Sequence, residues 1–332
     1  MPRILPRLLL ATLLAVGNAW AADPPPAEVV VAMRYLQQTG TSHAHLYLYR
    51  ADGKFLRQLT DDNKSQDYNP FFAPDGETIV FTRQTDAGGT ELYSVEPRGG
   101  NLHKLPAAPD WYTGAESSLS FQHLDDDPDT AHLLSDSGAQ TGGPPTYRAP
   151  DGSAELVLKV QPGSEEDSMT LPGHGKLYEL HDLRTGATVV LGTLPGFVGL
   201  FNLLSLGQDK TQRFLLVPPL RVAFFGLHLG STDGDTVFAL DLDGKRLVGL
   251  SPNWAGPRPL PGEPAFLTWT ENRYVPFGDG KRTANCSYVE RWDAKLKPVR
   301  YAREKAAGQC YGASMYRPAR SPAVIYLKSN EP

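Results

Sequence analysis

An all-β fold built from one repeated four-stranded unit is what this sequence predicts, on three observations. Apolar and aromatic residues recur with a period of two in short runs, turn residues punctuate the chain throughout, and one patterned segment returns 46 residues after its first appearance. Gly 32 and Pro 29 among 332 residues are well above the roughly 12% of an average protein. The 40% hydrophobic and 21% charged residues are those of a packed chain rather than a disordered one. Amphipathic helical patterns with capping signals are absent outside the N-terminal segment and the short stretch 293–297, so strands are the economical assignment.

The elements follow in chain order. Arg3 and Arg7 precede an apolar run at 8–16 and the small-residue pattern Ala19, Trp20, Ala21, the three parts of a secretory signal peptide cut between Ala21 and Ala22. The apolar run falls well short of the ~20 residues a bilayer span needs. Residues 22–27, with Pro24, Pro25 and Pro26, read as a stiff leader, and the folded domain is expected over 28–332. The residue directly after the cut is Ala22 and not Cys, so a lipid anchor is not expected, and no later segment is long and apolar enough to span a membrane. The destination is periplasmic or secreted. Removing Arg3 and Arg7 makes the formal net charge of −5 more negative, which disfavours nucleic acid and acidic lipid as partners.

Leu46, Tyr47, Leu48 and Tyr49, a turn at Asp52 and Gly53, and Leu56 to Leu59 return as Leu92, Tyr93, Ser94 and Val95, a turn at Gly99 and Gly100, and Leu102 to Leu105. Weaker copies begin at Leu177, Val237 and Tyr288. A second kind of hairpin lies between the first two: Asn69, Pro70, Phe71 and Phe72, a turn through Pro74, Asp75 and Gly76, then 78–83. Segments at 147–159, 203–217 and 266–277 resemble it, each expected as a hairpin. Two hairpins per unit give four strands, and a four-stranded unit repeating at this period marks a β-propeller blade, since one such sheet hides both faces only between neighbours. Six blades are expected, with five as the other possible count, depending on whether residues 111–143 form a further half-blade or an inserted loop. The strand-like ends, 29–35 and 314–327, are expected to pair with each other and close the ring.

The unit from Asn69 through Asp75 and Gly76 to Arg83, followed by Leu92, Tyr93, Ser94 and Val95, resembles the WD-like propeller repeat of the TolB family, most strongly from Tyr47 to Leu105. The resemblance implies a repeat-built propeller, and an exported location is shared by the family's namesake, a periplasmic component of an envelope system. The first repeat begins too soon after the cleavage site for that family's additional N-terminal α/β domain. The same repeat occurs in the propellers of prolyl peptidases and pectin-fragment lyases, so the resemblance transfers fold and not activity.

Chemistry-bearing motifs are sparse. No G-x-S-x-G elbow, H-E-x-x-H, Walker loop or dinucleotide fingerprint occurs. His43 and His45 would share one face of a strand and could offer two imidazoles to a metal. Without an identifiable third ligand, a polar edge entering the first hairpin is the simpler account. Asp125, Asp126, Asp127 and Asp129 lack calcium-loop spacing and read as a solvated loop. Cys286 and Cys310, 24 residues apart, are expected to form one disulfide in an oxidising compartment, worth about 3 kcal/mol. Tyr68, Trp111, Tyr112, Trp254 and Trp269 fall outside the best strand cores and would suit recognition on loops. The sequence therefore points to an exported, non-catalytic propeller, without cofactor, that binds another envelope protein or a peptide through loops on one face. The alternative is a saccharide-acting lyase or hydrolase with its site in the central funnel.

Overall fold

The computed structural model describes residues 26–85, 88–112, 146–148, 154–159, 177–182, 185–186, 188–190, 202–204, 214–217, 220–228, 235–243, 246–252, 257–260, 263–303, 306–318 and 323–327. The signal segment with its Ala21/Ala22 cut, the acidic cluster at 125–129, Trp254 and all but the first two residues of the stretch 111–143 lie outside them.

The described strands form five antiparallel sheets. Sheet 1 has the order β22-β21-β1-β2-β3, from β1 (Glu28–Tyr35), β2 (Ala44–Arg50), β3 (Phe55–Gln58), β21 (Gly308–Arg317) and β22 (Ala323–Leu327). Sheet 2 holds β4 (Ser65–Phe72), β5 (Ile79–Thr85), β6 (Thr90–Val95) and β7 (His103–Lys104) in sequential order. Sheet 3 holds β8 (Thr146–Arg148), β9 (Ala154–Lys159), β10 (Leu177–Asp182) and β11 (Thr188–Val190). Sheet 4 holds β12 (Asn202–Leu204), β13 (Phe214–Val217), β14 (Val222–His228), β15 (Asp235–Asp241) and β16 (Arg246–Pro252). Sheet 5 holds β17 (Arg258–Pro259), β18 (Ala265–Phe277), β19 (Arg282–Asp293) and β20 (Pro298–Arg300).

The repeated segments take equivalent places. Those around Leu46, Leu92, Leu177, Val237 and Tyr288 are β2, β6, β10, β15 and β19, each next to the outermost strand of its own sheet. The two chain ends also meet, with β1 pairing β2 on one side and β21 on the other. Sheet 1 carries β22 as a fifth strand, one more than the repeat predicts.

Two expected hairpins are built differently. β12 and β13 lie end to end along β14, opposite His228 to Gly226 and Phe225 to Val222 respectively, so together they make one interrupted strand. The segment from Phe266 to Phe277 is one continuous strand with a bulge between Asn272 and Val275. Thr270, Glu271 and Asn272 contain neither Gly nor Pro to reverse the chain, and the true first strand, β17, is only two residues long.

Strand alternation sorts side chains between neighbouring sheets. On β1, Val29, Val31 and Met33 pack with Leu267, Trp269 and Val289 of sheet 5, while Val30 and Ala32 pack with Phe72, Ile79 and Phe81 of sheet 2. On sheet 5 the alternate residue Phe266 turns the other way, edge-on to Phe224 of sheet 4 at 4.7 Å between ring centroids. Sheet 1 is therefore buried on both faces, each large aliphatic residue there contributing about 1.5–3 kcal/mol. Sheets 2, 1, 5 and 4 thus pack in that succession.

Close approach of sheets 1 and 2 depends on local backbone chemistry. Asn69 takes a positive φ of 48° at the bulge between Tyr68 and Phe71, and Gly312 of β21 lies so near that a Cβ there would stand 2.8 Å from the Asn69 Cα. Asn tolerates the left-handed region that most residues avoid, which accounts for the Asn-Pro pair opening this hairpin.

Candidate functional site

Where the β4–β5 and β6–β7 turns meet the start of β1, sheets 1 and 2 leave a groove of about 610 Å³. Four carboxylates line it, Glu28, Asp75, Glu77 and Glu96, together with Arg57, Arg98, Tyr316 and the prolines Pro26, Pro97 and Pro318. That volume falls in the range of ligand-sized clefts.

Each wall is fixed by turn chemistry. Gly76 donates its N–H to the Ala73 carbonyl at 2.9 Å, and the Glu77 N–H is held by Asp75 Oδ1 at 2.9 Å. Gly76 adopts φ +73°, and a Cβ there would stand 2.2 Å from the Tyr316 ring, so only glycine lets Tyr316 lie over the turn. On the opposite wall the Gly99 N–H bonds the Glu96 carbonyl at 2.9 Å, Asn101 donates to the Glu96 carboxylate, and Arg57 donates to the Arg98 carbonyl. Burial raises the Glu28 carboxyl above the usual range, against the pull of Arg57 and Arg98. The groove combines excess negative charge with an apolar floor of proline and tyrosine, a setting that favours a cationic, extended ligand.

The opposite end of these sheets is arranged differently. Asp67 and Arg83 are both buried and face each other in register across β4 and β5, with Arg83 Nε at 2.7 Å and Nη2 at 3.0 Å from the two carboxylate oxygens. The Arg83 guanidinium also lies 4.8 Å from the Tyr93 ring centroid. Arg83 Nη1 also lies 3.8 Å from the partly exposed Asp62, and the buried pair fits a structural role.

His45 lies on β2, buried, and its Nδ1 has no hydrogen-bond partner among the described residues. Burial lowers its pKa, with Asp67 and Asp61 pulling up and His43 and Arg83 pushing down. Among the described residues no set of three His, Cys, Asp or Glu is arranged to hold a metal. Where the sequence pointed to a bridge between Cys286 and Cys310, the structure holds two buried free thiols within one core. They stand on β19 and β21, and their sulfurs point to different carbonyls, Ala284 at 3.9 Å and Gly312 at 3.6 Å. Burial pushes the Cys310 thiol up to about 12, which keeps it protonated and unreactive.

Of the recognition aromatics, Trp269 is buried between sheets and Trp111 and Tyr112 pack on Phe71. Sequence reasoning took Asp75 and Gly76 for a turn and passed over Glu28, Arg57, Glu96, Arg98 and Tyr316. The pairing of the two chain ends gathers these residues, and no local pattern marks them.

No family model and no curated protein matches the chain. Among solved structures the chain is similar to TolB from Acinetobacter baumannii, at 12% identity and a TM-score of 0.23, covering 90% of this chain and 66% of that one. It is also similar to a putative TolB from Agrobacterium tumefaciens, at 10% identity and a TM-score of 0.22, covering 91% and 98% of the two chains. A third is the β-propeller domain of the Trilobed protease from Pyrococcus furiosus, at 8% identity and a TM-score of 0.24, covering 81% and 71%. At these scores the fold assignment rests on the strand pairing itself. No helix among the described residues is long and apolar enough to cross a membrane.

Proposed function

We propose that this chain is an exported β-propeller whose sheets close into a ring, and that it binds an extended, basic segment of another envelope protein or a secreted peptide in the groove between sheets 1 and 2. The observation that carries the reading is the groove's lining, with four carboxylates against two guanidinium groups over proline and tyrosine. The turns that form it are closed by backbone hydrogen bonds at Gly76 and Gly99, so a peptide would meet a preorganised surface. Export and periplasmic or secreted residence rest on the N-terminal pattern ending at Ala21.

The test is fluorescence anisotropy with labelled Lys/Arg-rich and Asp/Glu-rich peptides of equal length. Basic peptides are expected to bind in a salt-sensitive manner and to lose binding in a Glu77→Lys, Glu96→Lys double variant. Equal binding of both peptide sets, or unchanged binding by the charge-reversed chain, overturns the reading. Photocrosslinking from position 77 in cells then identifies the partner.

A further inference from the structure

The backbone around the groove between sheets 1 and 2 restricts the kind of chain that can lie in it. The two strands that end there, β1 and β21, are each paired on both sides: Glu28 stands in register with Arg50 and with Tyr316, and Tyr316 also with Val324. The turns on the walls close on themselves as well. Ala73 donates its N–H to the Thr78 carbonyl, Gly76 to that of Ala73, Glu96 to that of Gly100 and Gly99 to that of Glu96, at 2.7 to 3.2 Å. A ligand in the groove therefore has no strand edge of β1 or β21 to join, and addition of a further strand is not its mode of binding.

Side chains must then do the holding. Pro97 is buried, Tyr316 and Pro318 are half-buried, and Pro26 completes the apolar lining. The Tyr316 ring is fixed by Phe72, 5.7 Å away between centroids, and by the Gly76 turn against which it lies. Burial and the nearby Asp75 and Glu77 hold its phenol above the ordinary value, so the hydroxyl stays protonated and can donate. Arg57 and Arg98, both exposed, bring guanidinium donors beside Glu28. The exposed carboxylates of Asp75 and Glu77 offer acceptors for a cation next to the ring.

We propose that the ligand of this groove is a proline-rich segment in the polyproline II conformation that also carries Lys or Arg. This rests on the reading of the groove as a site for basic chains and adds the conformation and composition of the chain it takes. Proline has no N–H, so it buries no unmet donor on a surface without a strand edge. A polyproline II chain makes no internal hydrogen bonds, and its carbonyls are free to accept from Tyr316, Arg57 and Arg98. A helical ligand would already have spent those carbonyls in its own ladder. Three residues per turn bring every third side chain back to the groove, so proline with Lys or Arg at that interval presents a ring to Tyr316 and a charge to Asp75 and Glu77. Such a chain is stiff and extended before it binds, and loses little freedom on doing so.

Fluorescence anisotropy with labelled peptides of equal length tests this. One carries proline and Lys at three-residue spacing, one the same Lys positions among Gly and Ser, one the same Lys positions in a helix-forming Ala background, and one proline without Lys. The peptide with both proline and Lys is expected to bind at least about tenfold more tightly than each of the others, since a preformed extended chain and charge act together. Tyr316→Leu should remove that preference while the Gly/Ser peptide still binds in a salt-sensitive manner, and Tyr316→Phe should keep most of it, both variants unfolding thermally like the parent. Equal affinity for the three Lys peptides, or a preference that survives Tyr316→Leu, overturns this proposal and leaves the groove's selectivity for basic chains standing. Equally tight binding of the proline peptide without Lys also overturns it. Failure of every Lys peptide to bind overturns the reading beneath it as well.

Discussion

Asp67–Arg83 in sheet 2 and Glu263 with its arginines between sheets 1 and 5 use the same chemistry to opposite ends. In the first, Asp67 meets Arg83 through two parallel hydrogen bonds with both groups buried, and Arg83 Nη1 also reaches Asp62 at 3.8 Å. In the second, the Glu263 carboxylate lies 3.1 Å from Arg291 and 3.9 Å from Arg317, and all three side chains are partly exposed. A buried pair is costly to break because its desolvated charges depend on each other. A partly exposed cluster costs less to alter, because solvent screens its charges. The difference separates charge that holds a fold from charge that water already screens.

Substitution breaks the comparison most sharply at the buried pair. Arg83→Ala leaves Asp67 charged and unpaired inside sheet 2, and urea denaturation should show a loss of about 3–5 kcal/mol. The double change Asp67→Leu, Arg83→Leu should recover most of that loss; a double variant as unstable as the single one would show that shape, not charge pairing, governs the position. Next in size is Gly76→Ala, which sets a methyl group against the Tyr316 ring in a left-handed backbone. A loss of roughly 2 kcal/mol in the same assay is expected, together with weaker peptide binding, because Tyr316 floors the groove.

His45 adds a buried titratable group with no hydrogen-bond partner at Nδ1 among the described residues. Its pKa in the fold lies below the ordinary value of 6.5 because burial disfavours the cation. Below pH 6.5 the unfolded chain therefore binds a proton that the native chain resists, and stability falls as pH drops toward the native pKa. His45→Gln should flatten the pH dependence of thermal unfolding in that window while leaving neutral-pH stability within about 1 kcal/mol. An unchanged slope would place the acid sensitivity elsewhere. The smallest effect is expected at Arg317→Gln, less than about 1 kcal/mol of stability in the same denaturation assay.

Period-two patterning with Gly, Pro and Asp turns was sufficient to locate the third and fourth strands of every sheet. These hairpins are local, each joining strands adjacent in sequence. The first strands were harder to read. β17 is two residues long and β12–β13 is interrupted, so neither offers a run long enough to show alternation. The turn at Asp75 and Gly76 was legible, but its facing residue, Tyr316, stands 240 positions away in the chain.

The sequence by itself settled the strand-rich class, the repeated hairpin and the meeting of the two chain ends, because alternation, turn chemistry and unpaired edges act over a few residues. Tertiary structure alone decided what the end of β21 does. There Tyr316 turns toward Gly76 and Phe72 in sheet 2, and its neighbour Arg317 turns toward Glu263 and sheet 5. Adjacent residues on a strand point to opposite faces, and which partner waits on each face depends on sheets drawn from remote parts of the chain.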